Sequence, residues 1–404
     1  MTETKSVSRR SFLTTAAVAA AAVPLSGGPL LADAPRAGGE SQGGKSLRWG
    51  IIGTGNRGTY THLPTMKEAP ESELLALCDI APDRLHTAAS HVGHDVATYS
   101  DYQKLLANPD INAVVISTPN LMHRQMLRDA IQAGKHVLCE KPAGATPADA
   151  AEMKRDVDAA KTVIMFGMQY RNNVRPRKIV ELISAGEIGK PKYIVQNCSR
   201  GDWNLSPNIW RYTDPKLGDK PMNWRFSHAA SGGTLNEFSC HYLDLLHWFA
   251  GGLPDSVWGE GGISVYHDGR DTWDHASVTL HYPSDVTAVH TLCLFGPGRA
   301  DVTVVGEHGS IESVGNLFRL TRFPKHGAKG GNRIQELNGS SPPSHGVDHA
   351  VLTLYEDFLT CVKTGKKPDA DVNRAVAASR TCWLAEESSD RRAEVKWAEL
   401  ASAR

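Results

Sequence analysis

An apolar run that ends in Gly-x-Gly-x-x-Gly constrains this chain more than any other stretch. It reads Leu47-Arg48-Trp49-Gly50-Ile51-Ile52-Gly53-Thr54-Gly55-Asn56-Arg57-Gly58, and a helical pattern follows from Thr59. A strand that turns tightly into a helix N-terminus presents backbone N–H groups and the positive end of the helix dipole, which together make an anion site. In that reading Gly53 permits the turn, Gly55 lets a pyrophosphate approach the backbone, and Gly58 lets helix and strand pack closely. The run 73–79 reads as a second strand ending in Asp79, 26 residues after Gly53. That spacing suits a carboxylate on a ribose 2′-hydroxyl, and it favours NAD over NADP because Asp79 repels a 2′-phosphate. The competing reading makes Asp79 a helix cap, since a helix should start near Pro82. A third buried strand at 113–117 follows a helical stretch, and strands alternating with helices indicate an α/β parallel sheet.

The chain has 404 residues, 41% of them hydrophobic, enough for two domains with cores of their own. Lysine plus arginine balances aspartate plus glutamate at 44 each, so no basic excess points to nucleic acid. Cys78, Cys139, Cys198, Cys240, Cys293, Cys361 and Cys382 are odd in number, widely spaced and mostly set in apolar runs. They read as scattered buried thiols, not as a disulfide framework or a zinc site. Residues 1–44 stand apart from the fold. Ser8-Arg9-Arg10-Ser11-Phe12-Leu13 sets twin arginines before an apolar residue, 16–23 is an Ala/Val run too short to span a bilayer, and Ala32-Asp33-Ala34 offers small residues at a cleavage-like spacing. The stretch resembles a twin-arginine export signal with a disordered leader, which implies a translocase partner and a periplasmic or otherwise exported protein. The other reading is an alanine-rich tail with a chance Arg-Arg pair.

Residues 84–94 and 101–106 read as helices. Thr118-Pro119-Asn120-Leu121-Met122-His123 then turns the chain at the sheet's C-terminal edge, where open α/β sheets bind ligands. Helix 124–133 closes on Gly134, and strand 136–139 ends in Glu140-Lys141-Pro142. Pro142 confines Lys141 to extended backbone angles. Beside a nicotinamide that ammonium would stabilise negative charge on a reacting oxygen; on chemistry alone, an ordinary ion pair with Glu140 competes with this role.

Gly53-Thr54-Gly55-Asn56-Arg57-Gly58, Ser117-Thr118-Pro119-Asn120 with His123, Ala133-Gly134-Lys135-His136-Val137 and Glu140-Lys141-Pro142 occur in this order. Together they resemble the Gfo/Idh/MocA family, the glucose–fructose oxidoreductase and inositol dehydrogenase group, over residues 47–395. The resemblance implies a Rossmann domain with a parallel sheet at 45–165. It further implies a C-terminal α/β domain at 166–404, with a large open, mostly antiparallel sheet that pairs in a homo-oligomer and a last helix that packs back on the Rossmann domain. It implies NAD as cofactor, held by Gly53, Gly55, Asn56, Arg57, Gly58, Asp79, Thr118, Pro119, Asn120, His123, Glu140 and Lys141, with Lys141 also binding the substrate hydroxyl.

In the second half, 148–161 reads as a helix crossing between domains, followed by strand 163–167 and helix 176–185. Strand-like runs recur at 193–197, 257–261, 275–282, 286–294, 301–305, 309–314 and 317–321, as in an antiparallel meander, and helices are expected at 349–364 and 375–388. The densest chemistry lies at 232–248. There Glu237, His241, Asp244 and Trp248 fall at i, i+4, i+7 and i+11, which is one face of a regular helix. His241 is the expected general base, since its ordinary pKa suits reversible proton transfer, with Glu237 or Asp244 orienting the ring and the sugar hydroxyls. The family usually carries Asp where Glu237 stands. Off this face, His247 reads as structural. A salt-bridged face and a divalent metal site are the other readings of the same residues; the family's hydride chemistry needs no metal.

An insertion at 200–226 holds Trp203, Trp210, Arg211, Trp224 and Arg225. With Tyr170 and Arg171 it is the expected sugar surface, rings for C–H faces and polar groups for hydroxyls; a loop core or a subunit contact is the alternative. The expected function is an NAD(H)-dependent oxidoreductase acting on a secondary hydroxyl of a sugar, glycoside or polyol. Its rivals are a redox-assisted glycoside hydrolase or lyase that regenerates its own NAD, and a non-catalytic sugar-binding protein. The leader makes a separate prediction: Arg9→Lys with Arg10→Lys leaves a folded precursor in the cytoplasm, and unchanged export on cell fractionation would remove the twin-arginine reading.

Overall fold

The computed structural model describes residues 46–201, 223–324, 330–340 and 347–399. The expected export signal and Trp203, Trp210 and Arg211 lie outside the described residues. Strands β1 (Leu47–Ile52), β2 (Ser72–Cys78), β3 (Ala97–Tyr99), β4 (Ala113–Ile116), β5 (His136–Cys139) and β6 (Ile164–Phe166) form a parallel sheet in the order 3-2-1-4-5-6. All four residues of β4 are buried, as in strands covered on both faces. Helices α1 (Leu63–Glu68), α2 (Pro82–Val92), α3 (Tyr102–Leu106), α4 (Asn120–Gln132) and α5 (Pro147–Ala159) connect these strands. The strand order reverses between β1 and β4, and the crevice at their C-terminal ends is where such sheets take dinucleotides. The apolar pattern did not reveal β3, which is three residues long and largely exposed. The expected boundary at 165 falls inside β6, which belongs to the first sheet.

After α6 (Val174–Ser184), strand β7 (Pro191–Ser199) enters a second sheet. Helix α7 (Cys240–Ala250) follows, then β8 (Ser256–Gly262), β9 (His275–Tyr282), β10 (Val286–Cys293), β11 (Arg299–Gly306), β12 (Gly309–Val314), β13 (Leu317–Arg322) and β14 (Arg333–Glu336). Helices α8 (His349–Thr364) and α9 (Val372–Arg391) and a short β15 (Val395–Lys396) complete the described chain. The sheet runs 14-13-12-11-7-10-9-8-15, and β7 with β10 is its one parallel pair among the described strands. Strict alternation in β10 turns Val286, Ala288, His290 and Leu292 inward. On the opposite face Trp258, Thr279, Val289 and Val195 stand in one row across four strands, and Trp258 remains 43% exposed.

Two helices tie the parts together. Tyr355 and Phe358 of α8 pack on Trp49 of β1, with ring centroids 5.2 and 5.1 Å apart. Along α9, Thr381 bonds His247 Nε2 (2.9 Å) and Ser388 accepts from Gly259 (3.0 Å), while Ser379 accepts from Ala143 (3.3 Å). The large packing onto the first strand therefore comes from α8, and α9 sits between both sheets. All seven cysteines are unpaired; six are buried and Cys293 is partly exposed.

Candidate active site

The glycine turn is built as its residue types require. Gly53 has φ +94°, and a Cβ there would lie 2.7 Å from the Ser117 carbonyl oxygen. At Gly58 a Cβ would lie 2.1 Å from the Gly53 carbonyl oxygen, so only glycine lets the helix approach the strand this closely. A Cβ on Gly55 would meet nothing nearer than an Arg84 nitrogen at 3.4 Å, which leaves the outer side of the loop open. Gly55, Asn56 and Arg57 line a cavity of ≈ 1060 Å³ together with Thr118, Pro119, Asn120, Glu140 and Lys141. Small-molecule sites are usually about 300–1,000 Å³, and this cavity stands at the upper end of that range. The helix behind the loop opens with a π-helical turn, Gly58–His62, before α1.

Asp79 reaches the loop from the end of β2. One carboxylate oxygen accepts from Thr54 N (2.8 Å) and Thr54 Oγ1 (3.2 Å), and the other accepts from Ala81 N (2.9 Å). Ala81, not Asp79, caps α2. A carboxylate offers about four acceptor positions, so one remains on the second oxygen of Asp79, a residue that lines the cavity. His123 differs from expectation. Its buried ring stands behind the wall, with Nε2 3.0 Å from the Thr118 carbonyl oxygen and Nδ1 3.1 Å from that of Pro142. It braces two cavity turns and is not itself among the lining residues.

Glu140 is 4% exposed. Its carboxylate accepts from Arg57 Nε (2.5 Å), meets His62 Nε2 (2.9 Å) and accepts from the Lys141 backbone N–H (3.2 Å). Burial alone would raise this carboxyl, but Arg57 and His62 outweigh burial and hold it well below the usual range. The His62 ring passes on to the Tyr355 hydroxyl (3.1 Å). With its amide oriented to satisfy both neighbours, Gln169 accepts from Arg57 Nη2 (2.9 Å). Sequence reasoning missed His62, Gln169 and Tyr355. For His62 the available signal was its place four residues after Gly58; Tyr355 comes from 293 residues away and had no local signal.

Lys141 does not pair through its ammonium with Glu140. Its Nζ donates to the Glu237 carbonyl oxygen (2.5 Å) and lies 3.3 Å from Glu237 Oε2. Glu237 Oε2 also accepts from Asn120 (3.0 Å), and Oε1 accepts from Arg225 Nε (2.6 Å). Burial would raise the Glu237 carboxyl, but Arg225 and Lys141 hold it at about 2. The expectation that Glu237 orients His241 is therefore corrected, since its hydrogen bonds go to the lysine, an asparagine and an arginine. His241 is instead positioned by Tyr170, stacked on it at 4.1 Å and 8°. His241 Nδ1 is buried without a hydrogen-bond partner among the described residues. Burial and the nearby Lys141 push the ring down to about 3, far from the near-neutral value expected from sequence.

Asp244 and Arg171 leave the cavity altogether. Arg171 Nε and Nη2 form a two-point ion pair with Asp244 at 2.8 and 2.6 Å, and the guanidinium lies 5.1 Å from the Trp248 ring. The physical reason is distance along the axis: after the π turn Leu235–Ser239, in the regular helix α7, Asp244 lies about one turn beyond His241, and there Arg171 meets it. Glu237 and His241 line the cavity, whereas Asp244 and Trp248 serve the Arg171 contact. Tyr170 and Trp224 also line the cavity, and Arg225 lies over the Trp224 ring at 4.0 Å. Among the described residues no three of His, Cys, Asp and Glu converge to hold a metal ion.

Comparison with known proteins defines the class. Residues 47–168 match the Gfo/Idh/MocA model described as an oxidoreductase family with an NAD-binding Rossmann fold, and residues 177–312 match the GFO/IDH/MocA C-terminal domain. The two matches together cover more than half of the chain, and the chain belongs to the Gfo/Idh/MocA family of oxidoreductases. It is 26% identical over 245 residues to the myo-inositol 2-dehydrogenase of Thermotoga maritima, covering 60% of this chain and 67% of that one. It is 31% identical over 250 residues to the 2,7-anhydro-N-acetylneuraminate hydratase of Mediterraneibacter gnavus, covering 61% of each. The chain thus spans about two thirds or less of the length of these curated relatives. A levoglucosan dehydrogenase structure, in complex with NADH and levoglucosan, superposes with TM-score 0.73 at 20% identity, covering 87% of this chain and 99% of that one; it shares the fold.

The buried groups predict an acid-sensitive fold. His241, His247 and His290 are all pushed by burial to about 3. Unfolded histidines take up a proton near about 6.5, so between these values the unfolded state binds more protons and stability falls as pH is lowered. Glu237 adds to the loss as pH falls from its ordinary 4.5 towards about 2. The thermal midpoint should therefore fall steadily from about pH 6.5 to pH 4; a flat profile would show that these histidines are charged in the native state.

Proposed function

We propose that this protein is an NAD(H)-dependent oxidoreductase acting on a secondary hydroxyl, or the matching ketone, of a sugar, glycoside or polyol. One arrangement carries the reading: a single cavity holds the glycine loop, the Lys141 ammonium and the His241 ring, whose Nδ1 has no described partner. The open side of Gly55, the loop N–H groups and the spare acceptor on Asp79 fit a dinucleotide. When bound, NAD supplies the hydride acceptor. Lys141 donates to the substrate oxygen and stabilises the charge that gathers there. Neutral at pH 7, His241 accepts the hydroxyl proton. As the carbon–hydrogen bond breaks, that hydroxyl becomes the conjugate acid of a ketone, acidic enough for a weak base to deprotonate. Tyr170 and Trp224 offer apolar faces to the ring carbons.

A redox-assisted lyase or hydrolase is the second reading, and the relative named as a hydratase supports it. Oxidation would then be transient, acidifying the neighbouring carbon so that a substituent leaves before the ketone is reduced again. Product formation without net NADH distinguishes this course. In our reading the twin-arginine leader exports the protein, and the open sheet face bearing Trp258 pairs two copies, which sedimentation measures.

Lys141→Ala and His241→Ala should each slow single-turnover reduction of bound NAD by at least about a hundredfold, with NAD content retained. The double variant should lose less than the product of the two, because both groups act on one hydroxyl. Near-normal rates in His241→Ala would remove it from the chemistry. Calorimetric titration should show NAD binding more tightly than NADP, and Asp79→Ala should narrow the gap; tighter NADP binding in the unaltered protein would overturn the cofactor assignment.

A further inference from the structure

We propose that Arg225 is a positioning residue for Lys141: by occupying Glu237 it keeps the lysine's charge available to the substrate oxygen. The proposal rests on the role given to Lys141 above. Glu237 is buried and takes two cations, but not equally. Arg225 Nε sits 2.6 Å from Oε1, whereas Lys141 Nζ sits 3.3 Å from Oε2, which Asn120 also occupies at 3.0 Å. The closer contact of the lysine is with a neutral group, the Glu237 carbonyl oxygen at 2.5 Å. Two cations on one carboxylate leave the trio with a net positive charge, and Lys141 keeps a third N–H to offer. Without Arg225 the buried carboxylate has Lys141 as its near cation and draws it into a full ion pair. The charge that should meet a developing oxyanion is then cancelled before substrate arrives.

The surroundings hold Arg225 to this task. Its guanidinium lies over the Trp224 ring at 4.0 Å, and its carbonyl oxygen accepts from Thr272 Oγ1 at 3.2 Å. A guanidinium stays protonated at any working pH and its planar fork suits a carboxylate, so the clamp does not titrate away. Glu237 reaches it from the π turn, Asn120 from the first turn of α4 and Lys141 from the end of β5.

The test compares Arg225→Gln, Arg225→Lys, Glu237→Gln and the Arg225→Gln/Glu237→Gln pair, each checked for NAD content and thermal midpoint. Arg225→Gln should lower kcat at least about tenfold while KM changes little, the signature of an interaction used in the transition state. Arg225→Lys should recover most of kcat. The decisive result is rescue: adding Glu237→Gln to Arg225→Gln should raise kcat at least about fivefold, because the trap for Lys141 is gone. A double variant no faster than Arg225→Gln, or a loss confined to KM, would overturn the proposal and make Arg225 a simple substrate contact. A crystal structure of Arg225→Gln gives a readout independent of turnover. Lys141 Nζ should close on Glu237 Oε2 from 3.3 Å to below about 3 Å. An unchanged separation would overturn the proposal even if sugar oxidation is confirmed. If no sugar is oxidised by the unaltered protein, the redox reading falls while this distance still decides the clamp.

Discussion

The Glu140 carboxylate is the charge on which the rest of the site depends. It lies at the end of β5, buried to 4% exposure, and a lone ion there would cost several kcal/mol. Three elements compensate it: Arg57 from the glycine loop, His62 from the π turn behind that loop, and the Lys141 backbone. Each compensating group is thereby fixed in place. Arg57 cannot swing without uncovering Glu140, so the loop that faces the cavity keeps one shape. The glycine after β6 belongs to the same arrangement, because a Cβ on Gly167 would lie 2.7 Å from Glu140 Oε2.

Glu237 plays the matching part from the second half of the chain. It gathers Asn120 and Lys141, which come from the first sheet's loops, and Arg225, which comes from the segment before α7. The cavity therefore lies between two buried carboxylates, each held by three cationic or neutral donors. Lys141 bridges them, bonding Glu140 through its backbone and Glu237 through its ammonium. That double attachment places an otherwise flexible side chain, and it lies next to the stacked pair of Tyr170 and His241.

Local rules made half of this legible. The glycine turn and the strand runs at 275–282 and 286–294 depend on neighbours within a few residues, and the structure has a turn and strands at these places. Helix 349–364 has the expected ends; in the structure Asp348 caps it and Gly365 closes it. What escaped was set by other physics. Two π turns interrupt the helices facing the cavity, and Asp244, about one turn beyond His241, pairs with Arg171 instead of reaching the site. Burial, not sequence, moved His241 away from neutrality. Strands β3 and β14 are largely exposed and so carry no buried apolar run, β15 has two residues, and the partners of Glu140 come from distant stretches.

The contact between His62 and Tyr355 has a bearing on how such proteins can be built and rebuilt. The hydroxyl that completes the His62 hydrogen bonds comes from α8, and the same helix covers Trp49 with two rings. The first sheet is therefore not a self-sufficient cartridge. Transplanted alone, or grafted onto a foreign C-terminal half, it would carry an imidazole without its phenol and a tryptophan face open to water. In this chain the helix belongs with the first sheet, which makes a stretch at the far end of the chain an honorary part of its beginning.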